Sequence, residues 1–163
     1  MKISPYAATH DELTGLPNEF LLLDRLNQAV VTSERGTCRV ALLIISLNNY
    51  KTIHQEYGQD FSDRLILKVA ESLQDILREP DTIARRKIHT FAIVLPQIES
   101  QLILTQLVRR IEKVMAEPFV VDSRKIYLNI SISQGTYPYS GSDALKLLQY
   151  VESEIIKNQQ DIA

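Results

Sequence analysis

The run Val40-Ala41-Leu42-Leu43-Ile44-Ile45 constrains this chain more than any other segment, because six consecutive apolar residues leave no polar face to turn toward water. Such a run is typical of a β-strand covered on both sides, and it reads here as the central strand of a sheet.

The flanking segments supply the cover. From Asn18 to about Val31 the apolar residues Phe20, Leu21, Leu23, Leu26, Ala29 and Val30 recur at helical spacing, and Pro17 suits a helix start. Ser33-Glu34-Arg35-Gly36-Thr37 reads as a turn. A short helix is predicted from Tyr50 to Tyr57, stopping at Gly58. A longer one runs from about Phe61 to Leu77 with Leu65, Leu67, Val69, Ala70 and Leu73 facing inward, ended by Pro80. Asp81 to Arg86 and Thr90 to Leu95 read as an antiparallel hairpin closed by Pro96. Another helix is expected over about Ser100 to Ala116, broken by Glu117-Pro118. Short strands follow near Phe119 to Val121 and from Ile126 to about Ser133, then a last helix from about Ser142 to Lys157. The fold class is α/β (α+β), with a mixed, mainly antiparallel central sheet and helices packed over it.

Size and composition bound the function. A chain of 163 residues with 45% hydrophobic and 23% charged residues is expected to fold as one domain around a continuous core. With 18 basic and 20 acidic residues the net charge is −2, so no overall field attracts a nucleic acid polymer and an anion site has to be a local cluster. The lone Cys38 forms no internal disulfide, reads as a small core hydrophobe and fits a reducing cytoplasm. No stretch reaches the length of a membrane span, so this domain is expected to make no membrane contact, although a parent protein anchored in a membrane is compatible with it. Residues 1–10 have no clear period and read as a linker or tether ahead of a domain spanning 11–160.

Several segments together carry a family resemblance: Asp11-Glu12-Leu13-Thr14-Gly15-Leu16-Pro17-Asn18, Leu47-Asn48-Asn49-Tyr50-Lys51, Glu56-Tyr57-Gly58, Ser62-Asp63-Arg64-Leu65, Ala84-Arg85 and Phe91-Ala92-Ile93-Val94-Leu95-Pro96. In order and spacing the chain resembles the GGDEF domain, the diguanylate cyclase module, over nearly its whole length. The opening motif, Glu117-Pro118-Phe119 and Ser131-Ile132 look most like GGDEF domains that precede an EAL phosphodiesterase domain. The resemblance implies a nucleotide-cyclase palm with a ferredoxin-like core. The partners it implies are cyclic di-GMP, a C-terminal EAL domain and a second copy of the chain.

The chemistry of the family is where this chain departs from it. Joining two GTP molecules requires divalent metals that bridge phosphate oxygens, and such ions need hard oxygen ligands. The family carboxylates correspond to Ser46 at the end of the central strand and His89 in the signature turn, with further acidic positions at Asn48 and Thr90. The signature glycines correspond to Lys87 and Ile88, which add side chains where close backbone approach is needed. The implied Mg²⁺ site is therefore expected to be lost, no cofactor is expected, and no catalytic residue is assigned. Of the GTP contacts the resemblance implies, Lys51 and Asp63 remain as vestiges, while His54 replaces the guanine-reading Asn and Gln159 a Lys of the last helix. Each has an ordinary reading too: Asp63 favours a helix N-terminus, and Lys51 and His89 suit a solvated surface.

Arg78-Glu79-Pro80-Asp81 is an RxxD motif six residues before the altered turn, in the register where the family binds its product as an inhibitor. An arginine fork grips phosphate or a guanine edge and an Asp accepts from guanine. Arg109 or Arg110 on the following helix is the second arginine this site recruits, with Arg109 better spaced; otherwise Arg78 and Asp81 form a weak surface ion pair. Three functions stay in view: an inactive regulatory or interaction module in cyclic di-GMP signalling, a cyclic di-GMP receptor, and a cyclase with unusual ligands. A GTP-binding regulator of an EAL phosphodiesterase is a variant of the first.

Overall fold

The computed structural model describes residues 6–34 and 38–162, with side chains described as far as Gln159. Of the expected turn between the first helix and the first strand, Arg35, Gly36 and Thr37 lie outside the described residues, as do residues 1–5 of the expected tether. The elements in chain order are α1 (Glu19–Glu34), β1 (Arg39–Leu47), α2 (Tyr50–Tyr57), α3 (Gln59–Ile76), β2 (Thr82–Lys87), β3 (Thr90–Ile98), α4 (Gln101–Ala116), β4 (Phe119–Val121), β5 (Arg124–Ile126), β6 (Ile130–Tyr137) and α5 (Ala144–Ile162).

The long apolar run becomes the middle of a four-stranded sheet ordered β2-β3-β1-β6, with every pairing antiparallel. Strand alternation divides it between two cores. Ala41, Leu43, Ile45 and Leu47 face α3 and α4, while Val40, Leu42 and Ile44 face α1 and α5. Each of these seven side chains is fully buried, and full burial of one leucine or isoleucine stabilises by about 1.5–3 kcal/mol. On the α5 side the helix crosses β6 closely at Gly135, where a Cβ would lie 2.8 Å from Val151 and 3.0 Å from Leu147.

The helix starts follow local chemistry. Asn18 caps α1 through Oδ1, which accepts from the Leu21 N–H at 3.2 Å, and Asp143 Oδ1 accepts from the Lys146 N–H at 2.8 Å ahead of α5. Gly58, at φ 90°, turns the chain from α2 into α3.

Several expectations need correction. In α1 the buried stripe is Leu22, Leu26, Ala29 and Val30, whereas Phe20 and Leu23 are exposed. In α3 it is Ile66, not Leu67, that faces inward, because 3.6-residue periodicity pairs Ile66 with Val69, Ala70 and Leu73. The strand expected over Ile126 to Ser133 is two elements: β5 pairs only with β4, and β6 starts afresh at Ile130 and joins the main sheet. Asp122 and Ser123 take positive φ of 50° and 66° to close the β4–β5 hairpin, which turns the chain back before that junction. Pro96 does not close the β2–β3 hairpin; β3 continues to Ile98. Cys38 is half-buried and lies beside Gln97 rather than in the core.

Candidate functional site

Four elements meet where β1 ends. Ser46 pairs with Thr90 of β3 on one side and with Ser131 of β6 on the other, and the end of α5 arrives above them. A cleft of about 230 Å³ opens between β1, the β2–β3 hairpin and α5, lined by Ser46, Thr90, Lys87, His89, Gln159, the charged Arg86 and Glu152, and the apolar side chains Ile44, Ile155 and Ile156. Ser46 and Thr90 are buried. Gln159 Nε2 donates to Ser46 Oγ at 2.8 Å and to Asn48 Oδ1 at 3.5 Å. Asn48 Nδ2 in turn donates to Ser131 Oγ at 2.8 Å and Asn129 Oδ1 at 3.2 Å. The result is a chain of neutral groups that bond to one another.

Two arginines nearby are paired. Arg86, whose side chain is only 8% exposed, donates Nε to Glu19 at 3.1 Å and reaches Glu152 of α5 with Nη2. Arg85 donates to the Ile88 carbonyl at 2.7 Å and to Asp11 at 3.4 Å, and Asp11 also accepts from the Thr14 N–H and hydroxyl. The Arg85 N–H donates to the Pro17 carbonyl at 3.0 Å. The opening motif is thus bound along β2, and Asp11 helps fix the signature hairpin. Residues 6–10, expected as tether, take part: Tyr6 Oη donates to the Gly15 carbonyl at 3.0 Å and His10 bridges to Pro17.

The hairpin tip carries Lys87, Ile88 and His89. Neither Ile88 nor His89 takes positive φ, and a register shift between Arg85 and Lys87 accommodates the turn. Ile88 is 64% exposed. The His89 ring stacks beside Tyr50 at 6.1 Å, and burial, with Lys87 as the lesser cause, lowers its pKa below the ordinary value.

The family's Mg²⁺ is a poor match for these residues. A hard divalent ion needs charged oxygens, yet Ser46, Asn48 and Thr90 are neutral, and among the described residues no three His, Cys, Asp or Glu side chains come together as a metal-binding group.

The expected nucleotide vestiges lie apart from this cleft. Lys51 is exposed. Asp63 accepts from Gln59 Nε2 one helical turn away at 2.6 Å. The His54 ring also lies beside Tyr50, at 6.0 Å, and leaves Nδ1 buried with no partner among the described residues.

The RxxD motif forms a second site beyond the end of α3. Arg78 donates its backbone N–H to Asp81 Oδ2 at 3.0 Å and its Nη2 to Asp81 Oδ1 at 3.3 Å and to the Gln97 carbonyl at 3.2 Å. The Asp81 side chain is 2% exposed and that of Arg78 52%. A cavity of about 200 Å³ opens here, lined by Arg78, Asp81, Leu95, Leu107 and Arg110. Arg110, not the expected Arg109, reaches it, because Ile103, Gln106, Leu107 and Arg110 share one face of α4.

Sequence reasoning missed the double pairing of Arg86 and the part of Asn129. Neither has a local signal: Glu19, Glu152 and Asn129 are brought in from other elements by the fold.

A fold of this kind is known. The structure superposes on the GGDEF domain of TpbB (YfiN) from Pseudomonas aeruginosa with TM-score 0.89 at 24% identity, covering 93% of this chain and 89% of that one. The palm-like α+β architecture is therefore that of GGDEF domains. The family model for "Diguanylate cyclase, GGDEF domain" matches residues 8–161, and the chain belongs to the GGDEF family. It is 33% identical over 141 residues to the bifunctional diguanylate cyclase/cyclic di-GMP phosphodiesterase MucR of Pseudomonas aeruginosa, covering 86% of this chain and 20% of that protein. It is 26% identical over 146 residues to the cyclic di-GMP phosphodiesterase PdeR of Escherichia coli, covering 90% of this chain and 22% of that protein. The chain thus spans about a fifth of the length of these relatives.

Proposed function

We propose that this domain is a GGDEF module without cyclase turnover that serves a regulatory or interaction role in cyclic di-GMP signalling. One observation carries the reading. Ser46 and Asn48, at positions where the family has carboxylates, form with Gln159 a neutral network that has no charge to offer an ion. The names of MucR and PdeR favour a phosphodiesterase as the regulated neighbour, and the proposal places this domain in the cytoplasm, where a GTP-derived signal is made and read. No helix among the described residues is long and apolar enough to cross a membrane. The test is incubation of the purified chain with GTP and Mg²⁺ or Mn²⁺, followed by chromatography. No dinucleotide is expected; product that disappears on Asp63→Ala would overturn the proposal. GTP binding without turnover, through Lys51 and Asp63, would show as affinity without product and would leave the regulatory role intact.

A second reading is that Arg78 and Arg110 bind cyclic di-GMP. It is favoured by the convergence of two arginines on one cavity. Asp81, nearly buried and held by Arg78, orients that arginine, so phosphate recognition by the guanidinium groups carries the binding. Calorimetric titration with cyclic di-GMP decides: no heat at tens of micromolar, or binding unchanged by Arg78→Ala, removes this reading.

A further inference from the structure

The sheet ends on one side at β6, and three hydrogen bonds fix which of its backbone groups point outward. The Ile132 carbonyl accepts from Asn158 Nδ2 at 2.7 Å. The Thr136 N–H donates to Ser140 Oγ at 3.0 Å, and the Thr136 carbonyl accepts from the Ser140 N–H at 2.6 Å. Groups bonded to α5 and to the turn after β6 face away from β1, so by the two-residue alternation of an antiparallel ladder Ile130 and Gln134 also present their backbone to the open edge. Nothing among the described residues meets the N–H and C=O of Gln134 there.

This edge lies in a slot. A cleft of about 390 Å³ is lined by Gln101 and Leu104 of α4, by Tyr150 and Glu154 of α5, and by Ile132 to Thr136 between them. Since α4 and α5 pack on opposite faces of the sheet, a cleft that touches both wraps around the sheet's edge. A second cleft of about 330 Å³ shares Ile132 and continues beside Met115, Leu128 and Ile130.

We propose that the β6 edge docks a single extended strand of a partner polypeptide, with apolar side chains alternating toward α4 and polar ones, including a basic residue, toward α5. The backbone of Gln134 supplies an unpaired donor and acceptor, and the Asn158 amide on Ile132 occupies the place of an incoming strand's N–H. Half-exposed Ile130 and Ile132 offer the apolar side. The charged residue on the α5 side of the cleft is the acidic Glu154, which also meets Lys157 at 3.3 Å, and the second cleft adds the acidic Glu112 of α4. Solitary edges are commonly protected by lysine, proline or inward-pointing charge, and β6, Ile-Ser-Ile-Ser-Gln-Gly-Thr-Tyr, has none of these. A second copy pairing through its own β6 would push its α4 and α5 against the same helices, so a lone strand is the better fit.

The inference is independent of nucleotide chemistry and is tested without nucleotide. The probe is a synthetic Lys-Val-Thr-Val-Lys-Val-Thr peptide titrated into isotope-labelled chain and followed by amide NMR. Saturable shifts at Ile130, Ile132 and Gln134 are expected, with slower hydrogen exchange at the Gln134 amide. Gln134→Pro removes the edge donor and is expected to weaken binding about tenfold; should that variant not fold, Ile132→Lys, which spoils the apolar side, carries the same expectation. Shifts centred elsewhere, no binding at millimolar peptide, or affinity unchanged in the folded variants overturns the proposal. So does a concentration-dependent dimer in sedimentation whose contact maps to β6, which would assign the edge to a second copy.

Discussion

The cleft at the end of β1 and the corner at Arg78 lie in one small domain, and they treat charge in opposite ways. In the cleft, positions that hold charge in the family are neutral on both sides: Ser46 and Asn48 stand for acids and Gln159 for a lysine, and they hydrogen-bond one another. At the corner Arg78 and Asp81 are both charged, with the carboxylate buried and the guanidinium half in water. An unpaired buried charge costs several kcal/mol, whereas a neutral amide that finds partners costs little. On the proposed reading of a site without metal, loss of the acids and loss of the lysine relieve the same strain, and the matched neutral set in the cleft is what such a site tends toward. At the corner the arginine is oriented by its own aspartate.

The strongest way to break this comparison is to put a carboxylate back. Ser46→Asp buries a negative charge beside Thr90 and Gln159, and it is expected to lower unfolding stability by about 3 kcal/mol in chelator. Urea unfolding with and without Mg²⁺ measures it. Full recovery in millimolar Mg²⁺ would mean the cleft still assembles a metal site, and the contrast with the corner would fail. Next in size is Arg86→Ala, which strands Glu19 and Glu152. Because both carboxylates keep some solvent contact, a loss of about 2 kcal/mol is expected rather than the larger cost of a fully buried pair. At the corner, Arg110→Ala is expected to change stability by less than about 0.5 kcal/mol while abolishing cyclic di-GMP affinity in calorimetry. A large stability loss there would show that Arg110 belongs to the packing rather than to a binding surface.

The two sites were not equally legible in the sequence. The central strand, α2 and the hairpin around Lys87 to His89 follow from apolar runs and breakers, which act locally. The replaced residues Ser46, Asn48 and His89 were found through their register in the family motifs. What those residues do instead was hidden, because Asn129, Ser131 and Gln159 reach Ser46 and Asn48 across more than eighty residues of chain. At the corner the motif is legible, but helical spacing points to Arg109 rather than Arg110; spacing along a helix does not say which face the neighbouring elements leave open. The junction between β5 and β6 was missed because Ile126 to Ser133 is nearly continuous in strand-forming residues, and only the pairing partners divide it.

The smallest predicted effect asks to which side of the comparison the hairpin tip belongs. Burial lowers the His89 pKa from 6.5, and the Lys87 charge adds to it. Between the folded and unfolded pKa values the unfolded chain then binds more protons, so unfolding free energy rises with pH there, and stability is lost as pH falls below about 6.5. His89→Gln is expected to flatten that slope, measured by urea unfolding on either side of the window, with His10 and His54 present in both proteins. Because burial is the larger cause, Lys87→Ala is expected to shrink the slope without removing it. If Lys87→Ala removes the whole slope, charge rather than burial governs the tip, and the hairpin sides with the charged corner instead of the neutral Ser46–Asn48–Gln159 network it borders.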